Sequence, residues 1–332
     1  MDQPVSLVSQ PFVPAEEFQY SSLDEAVYRR LDDVEIQLRG ADTPGAMQAL
    51  IAYLDHLRRD LQIDAWRTLA AEVINTHPIA QLVRQCPLTA HCANKPRGYA
   101  GDAGLIDHIY GLGHASRAPH PATLTGRIYA WNVNTPGCRA ARRRREIIAA
   151  EIDMAAMRQR SQPASVLSVA CGHLREADLA VAIRDGSIGR FIALDQDKES
   201  LAEVDRAYSH LGVEPIVGTV RSIIARKTVF SDMDFVYAAG LYDYLVAPIG
   251  MRLISRMFEF LRPGGRLLVA NFSPALPGIG YMETFMDWRL IYRTGEEMRE
   301  LFSDLPAEEI GGVDVFEDEI GAIVYAAVEK RA

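Results

Sequence analysis

The apolar positions of this 332-residue chain follow two rhythms, and the change between them comes near the middle. From Ser21 to about Gly113 they recur every three or four residues. The segments "DEAVYRRLDDVEIQL", "AMQALIAYLDHLRRDLQ" and "AWRTLAAEVINTH" each carry such a stripe, which predicts amphipathic helices. "SSLDE" ahead of the first supplies a hydroxyl cap followed by acidic residues, as a helix start should. "GLGHASRAPHPATLTG" then breaks the pattern with Gly, Pro and Ser and reads as a loop or linker. A further helix opens with "CRAARRRREIIAAEID", where Ile148, Ile152 and the following Ala155 keep helical spacing behind five arginines.

Beyond that helix, short apolar runs take over. "SVLSVA", "RFIALD", "VEPIVG", "MDFVYAA" and "GRLLVANF" read as strands, the first four separated by segments able to form helices or connections. "MRLISRMFEFL" is a strongly amphipathic helix, with Leu253, Met257 and Leu261 on one stripe, Ile254 and Phe258 beside it, and "RPGG" as the turn that ends it. Strands alternating with helices at this spacing predict a doubly wound α/β fold, a parallel sheet with helices on both faces. The two runs of "VDVFEDEIGAIVYAAVEK" are joined too tightly for a helical crossover, so they should add an antiparallel pair. The expected organisation is a flexible tail over 1–20, a helical cap over 21–125 and a core over 126–332.

Composition narrows the function classes. The chain is 48% hydrophobic and 24% charged, ordinary for a soluble globular protein. No apolar run is long enough to cross a bilayer, and the N-terminus lacks the basic and apolar regions of a secretion signal, so a cytoplasmic location is expected. A net charge of −9 argues against a nucleic-acid binder. The five arginines of "CRAARRRR" could grip an anionic ligand, but most of them should form a solvated face or meet another part of this acidic protein. Cys86, Cys92, Cys138 and Cys171 are too few and too scattered for a disulfide scaffold. "CPLTAHC" sets a His beside two cysteines, but no second Cys/His cluster completes a zinc site, and no metal is expected. The expected partners are a small-molecule acceptor and a second copy of the chain in a homodimer, with neither nucleic acid nor membrane.

The candidate chemistry lies at strand ends. In a doubly wound sheet, ligands bind at the carboxyl ends of the strands, where the strand order reverses. The first such loop, in "VLSVACGHLREADLA", has one glycine where a dinucleotide fingerprint needs three. Aligned on G-x-G-x-x-G it reads Ala170, Gly172, Arg175, and an Arg in the third position would crowd the helix–strand contact. S-adenosylmethionine (SAM) has no phosphates, and one close backbone approach at Gly172, with small Ala170 beside it, suffices for it. "GRFIALDQDKESL" ends the second strand in Asp195 and Gln196; a carboxylate there can accept from both ribose hydroxyls, and Asp197 is the better helix cap. Thr219 and Val220 offer a polar group and an apolar wall for an adenine. "DFVYAAGLYDYL" runs through small Ala239 and Gly240 into Tyr242, Asp243 and Tyr244.

Together these residues resemble the class I SAM-dependent methyltransferases, from about Ser165 to the C-terminus. "KPRGYAGDAGLIDHIYG", "SVACGHLREADL", "AGLYDYL" and "YMETFMDWRLIYR" are similar to a bacterial methyltransferase group, some members of which are named for making a 3-hydroxy fatty acid methyl ester. The resemblance implies a Rossmann-like seven-stranded sheet with its last strand inserted antiparallel, preceded by a helical cap that lies over the cofactor. Two positions depart from the broad pattern. Ser168 stands where an acidic residue commonly ends the first strand, and Leu174 replaces the third glycine. Glu176 is expected to compensate for the acid by meeting the methionine ammonium.

The loop "PRGYAGD" brings Arg97, expected to meet the methionine carboxylate, and Tyr99, expected to form a wall near the sulfonium. Tyr242 and Asp243 are expected beside the methyl group, with Asp243 as the candidate base and His173 as the alternative. Tyr281, Met282, Phe285, Trp288 and Tyr292 should form a mixed apolar and aromatic acceptor pocket, with Arg289 and Arg293 available for an anion. The reading that results is a methyltransferase of a small metabolite, with a hydroxy fatty acid carboxyl group as an alternative acceptor. An NAD-linked oxidoreductase and a non-catalytic SAM-binding protein are the alternatives from other classes.

Overall fold

The computed structural model describes residues 22–112, 118–158 and 162–332. The tail expected over 1–20 lies outside the described residues, as does residues 113–117 of the expected linker. Seven helices come first: α1 (Ser22–Arg39), α2 (Thr43–Asp60), α3 (Ile63–Glu72), α4 (Pro78–Val83), α5 (Pro87–Asn94), α6 (Ala103–Tyr110) and α7 (Leu124–Asn132). Their starts follow local chemistry. Asp42 accepts from Gly45 N at 2.9 Å ahead of α2, with Pro44 in the first turn, and Asp102 accepts from Leu105 N at 2.8 Å ahead of α6. Gly111, left-handed at φ 68°, ends α6. On α1 the stripe Val27, Leu31, Val34 and Leu38 is fully buried.

The long α8 (Pro136–Arg158) leads into the sheet. There follow β1 (Ala164–Val169), α9 (Val181–Arg184), β2 (Ile188–Asp195), α10 (Lys198–Tyr208), β3 (Val213–Val217), α11 (Val220–Ile224), β4 (Met233–Ala238), α12 (Ala247–Glu259), β5 (Leu261–Phe272), α13 (Ile279–Phe285), α14 (Gly295–Glu300), β6 (Ile310–Glu317) and β7 (Ile323–Lys330). The strand order is β3-β2-β1-β4-β5-β7-β6. The pairs β1–β2, β2–β3, β1–β4 and β4–β5 are parallel, whereas β7 runs antiparallel to both β5 and β6. This is the seven-stranded sheet with an inserted antiparallel last strand that the resemblance implied. The order reverses between β1 and β4, which fixes the switch point for a ligand.

Three local features differ from the sequence expectation. The run after β1 forms a single tight turn at Arg175–Asp178 and then the four-residue α9, not a continuous helix. The helix stripe ends at Glu259, and Leu261 begins β5, paired with Met233. The turn "RPGG" is an outward excursion of β5 before Arg266 rejoins the ladder opposite Phe235. Gly265 allows it, because a Cβ there would lie 2.7 Å from Met233 O. The third difference is in "GYMETFMDWRLIYR", which is helical only through Phe285. Among the described residues no helix is long and apolar enough to cross a membrane.

Candidate functional site

A cavity of about 600 Å³ opens at the carboxyl ends of β1, β2 and β4, under the helices of the cap. Its floor is the loop after β1. Ala170 (φ 56°), Gly172 (φ 54°) and Leu174 (φ 51°) all adopt the left-handed conformation. The loop therefore keeps a three-glycine backbone while holding a glycine at only one of the three turns. Each non-glycine residue there costs roughly 1–2 kcal/mol, strain that collects where a backbone shape is functionally required. Gly172 also meets the cap closely, since a Cβ on it would lie 3.3 Å from that of Ala103 in α6.

Asp195 ties this loop to β2. Its Oδ2 accepts from Gly172 N at 2.8 Å and its Oδ1 from Asp197 N at 2.9 Å. It does not cap the next helix; Asp197 does, accepting from Glu199 N at 3.0 Å. Two bonds leave the Asp195 carboxylate with free lone pairs on the cavity wall. Gln196, Thr219 and Val220 line the same end, and Ala239 and Gly240 line the end of β4. The Thr219 hydroxyl is committed to capping α11 through Ser222 N at 3.0 Å, so Thr219 presents little polarity to a ligand.

The acidic residues of the cavity are held by burial. The Tyr237 hydroxyl donates to Glu176 Oε1 at 2.6 Å, bringing that carboxyl from the turn after β1 onto the wall. Burial raises the Glu176 pKa, against the Tyr237 bond and the nearby Arg144 and Arg145. Asp243 Oδ1 accepts from Phe272 N at 2.7 Å. Burial pushes the Asp243 carboxyl up to about 6, against that bond and the neighbouring Arg144 and Arg293.

Tyr242 does not face the cavity, which corrects its expected place beside the methyl group. Residues 242–244 form one tight turn that sets Asp243 and Tyr244 on the cavity and Tyr242 off it. Tyr242 is fully buried, its hydroxyl 3.4 Å from Gly250 O under α12. Tyr244 lines the cavity in its stead, accepting from Trp288 Nε1 at 2.9 Å, its ring edge-on to Tyr99 with centroids 6.1 Å apart. These rings press on Gly101 of the cap loop, where any side chain would strike the Tyr244 hydroxyl and Trp288.

The cap loop contributes differently from expectation. Tyr99 lines the cavity, and burial with Asp195 nearby pushes its hydroxyl up to about 12. Arg97 borders the cavity, but its guanidinium donates to Asp197 Oδ2 at 2.8 Å and Ser200 Oγ at 2.6 Å. It is spent at the start of α10, so it does not offer the free cation expected there for a methionine carboxylate. Asp102 is fully buried as the cap of α6 and lies 2.7 Å from His91 Nε2. That leaves His91 of "CPLTAHC" turned to a carboxylate, while Cys86 and Cys92 are buried free thiols.

Of the expected acceptor pocket, Tyr281, Met282 and Trp288 line the cavity, the Tyr281 hydroxyl lying 3.0 Å from Thr89 Oγ1. Phe285, Arg289 and Tyr292 do not. Phe285 is fully buried against Tyr281 in the cap core. Helix α13 stops there, Asp287 turns left-handed at φ 45°, and the following residues run past the ends of the strands. Arg289 is thereby half-exposed beside Asp287, and Tyr292 lies under Arg58. Arg293 is buried and bonded to Asn271 Oδ1 and Tyr242 O, each at 2.7 Å, so it holds no anion. His173, the alternative base, lies 2.9 Å from Asp107 Oδ2 of α6 through Nδ1.

Sequence reasoning did not single out Arg144 among the five arginines of its run. It sits on the cavity wall, buried, with its guanidinium 5.9 Å from the Phe272 ring centroid. The signal was in the spacing: Arg144 falls four residues before Ile148, on the buried stripe of α8, where its neighbours in the arginine run do not.

No family model matches the chain, and no curated protein does. Among solved structures it is similar to a possible exported protein from Bordetella parapertussis, at 17% identity and a TM-score of 0.56, covering 76% of this chain and 93% of that one. A magnesium protoporphyrin IX methyltransferase from Synechocystis, solved with bound S-adenosylhomocysteine (SAH), is similar at 11% identity and a TM-score of 0.47, over 72% and 99% of the two chains. The N-methyltransferase NodS from Bradyrhizobium japonicum gives 11% and 0.40, over 57% and 97%. The first likeness bears on the fold alone, and the lower scores of the other two carry no argument about activity.

Proposed function

We propose that this protein is a SAM-dependent methyltransferase acting on a small molecule. The observation that carries the reading is Asp195. It is a buried carboxylate at the end of β2, hydrogen-bonded to the one glycine of a loop whose three left-handed turns shape the cavity floor. That carboxylate would hold the ribose, with Gln196, Thr219 and Val220 around the base and Ala170 and Gly172 giving the backbone approach. When bound, SAM supplies a methyl group on a cationic sulfur. Tyr99 and Tyr244 put aromatic rings on the cavity wall, which suit that charge. Ala239 and Gly240 leave room beside it.

Asp243 faces the same region, and with a pKa of about 6 it is mostly ionised at neutral pH, able to position an acceptor or take its proton. The cap supplies the cover that excludes water. It also supplies the apolar lining that favours the second reading, a carboxyl O-methyltransferase of a hydroxy fatty acid. Leu88, Ile106, Ile109, Met282 and Met286 offer an acyl chain a wall. A carboxylate acceptor needs no base, so Asp243 would then position only.

Calorimetry on the full chain with SAM, SAH and NADH tests the reading. The two adenosyl ligands should bind, and Asp195→Ala should weaken both by about tenfold or more, the loss of hydrogen bonds to a charged group. Saturable NADH binding without adenosyl binding would return the site to the oxidoreductase alternative. Adenosyl binding with no methyl transfer to any acid, amine or phenol would leave a binding protein.

A further inference from the structure

Of the four consecutive arginines 142–145 in α8, one is buried without an ion pair among the described residues. Arg142 donates to the Ile109 and Val133 carbonyls, Arg143 pairs with Glu146 and Glu319, and Arg145 pairs with Asp178. Among the described residues Arg144 makes no ion pair within 4 Å, although it is 6% exposed. A buried guanidinium that no carboxylate bonds directly is costly, and a ligand carboxylate would offset that cost.

Position says which anion. A Cβ on Gly240 would lie 3.6 Å from Arg144 Nη2, which sets the guanidinium at the end of β4. Against the burial that raises them, its charge lowers the pKa of both Glu176 and Asp243, and the Tyr110 hydroxyl is hydrogen-bonded to it. Strand β4 is two places from β2 in the sheet, about 10 Å at the usual strand spacing. That is the span from a ribose held at Asp195 to the far end of a thioether-linked amino acid. A cation and a carboxylate side by side at that distance match an amino-acid zwitterion.

We propose that Arg144 and Glu176 together hold the amino-acid end of the adenosyl cofactor, Arg144 taking the carboxylate and Glu176 the ammonium. The assignment rests on the SAM reading above and fills the role that Arg97 leaves open. It makes Arg144 the residue that separates SAM and SAH from adenosine compounds lacking the amino acid.

The test compares SAH with 5′-methylthioadenosine, which keeps the adenosine and the thioether but has neither carboxylate nor ammonium. By calorimetry on the full chain, the natural protein should bind SAH more tightly than methylthioadenosine. Arg144→Gln should weaken SAH by about tenfold or more, the loss of a charge-assisted bond, and leave methylthioadenosine within about twofold. Glu176→Gln should show the same selectivity. Retained methylthioadenosine binding certifies the fold of each variant, and Arg144→Lys serves if the Gln variant does not fold. Unchanged SAH affinity would overturn the proposal and assign Arg144 to a carboxylate of the acceptor. Equal losses for both ligands would overturn it in favour of a role in shaping the cavity. Failure of the natural protein to bind either ligand would sink the SAM reading itself.

Discussion

Ala170 and Leu174 hold left-handed backbone conformations that glycine adopts freely, yet the two positions differ in what a glycine would do. At Ala170 the relief of strain is roughly 1–2 kcal/mol, and the added freedom of a glycine in the unfolded chain costs about 0.5–1 kcal/mol. Strain is the larger effect, so Ala170→Gly should raise stability by about 0.5–1 kcal/mol, read as a higher urea midpoint with an unchanged slope. Leu174 is buried at 1% exposure. Removing its side chain costs about 2–5 kcal/mol, which outweighs the relief, so Leu174→Gly should lower the midpoint. A drop in both variants would show that residue 170 carries no strain. The contrast explains the loop: an apolar anchor under it is worth more than the third glycine.

The elements legible in the sequence were those whose partners are near or whose burial is complete. Strands β1, β2 and β4 read as continuous apolar runs because both faces of a central parallel strand are covered. Helix α12 read clearly, but its end did not, since Leu261 is apolar on either reading. Asp195, Gly172 and Asp243 could be placed because strand ends are where such a sheet binds ligands. The facing of Tyr242 and Tyr244 could not, because a one-turn element has no periodicity to read. Nor could the link between α6 and the loop after β1, whose members are more than sixty residues apart. There Asp107 accepts from Arg175 Nε at 2.8 Å and Nη2 at 2.7 Å, with His173 alongside. Burial alone would raise the Asp107 pKa, but the bonds from Arg175 and His173 hold it down to about 2. A carboxyl depressed on folding stabilises the fold above its unfolded pKa, near 4, and loses that contribution as the pH falls through about 2. Asp107→Asn should therefore cost about 2 kcal/mol in urea unfolding at neutral pH. The gap from the natural protein should close as the pH falls from about 4 towards 2. A gap independent of pH would mean that the carboxylate charge does not hold α6 to the loop.

At the scale of the whole molecule, the helical cap and the sheet share an interior. The apolar cluster of the first seven helices includes Cys138 and Ala141 from α8, and Tyr281, Phe285, Met286 and Trp288 from the segment at α13. Backbones meet there directly: a Cβ on Gly280 would lie 2.7 Å from the Leu54 carbonyl of α2. Buried polar contacts cross the same seam. Trp66 Nε1 donates to Glu283 Oε2 at 2.7 Å, Arg58 pairs with Glu283 at 2.9 Å, and Asp55 accepts from Gly278 N and Gly280 N at 2.7 and 2.8 Å. Each bond broken at the seam would leave a buried polar or charged group without its partner, a penalty of about 1–3 kcal/mol or more apiece. A cap that unfolded alone would also strip four large apolar side chains of α13 and its neighbours of their packing. Partial unfolding is therefore costly, and the protein should melt in one cooperative transition, with calorimetric and van't Hoff enthalpies equal. Two resolved transitions would show instead that the cap is an independent unit, free to leave the cavity while the sheet stays folded. A single transition would show that the cap and the sheet unfold as one unit around the cavity, at whose edge Tyr99 and Tyr244 are partly exposed.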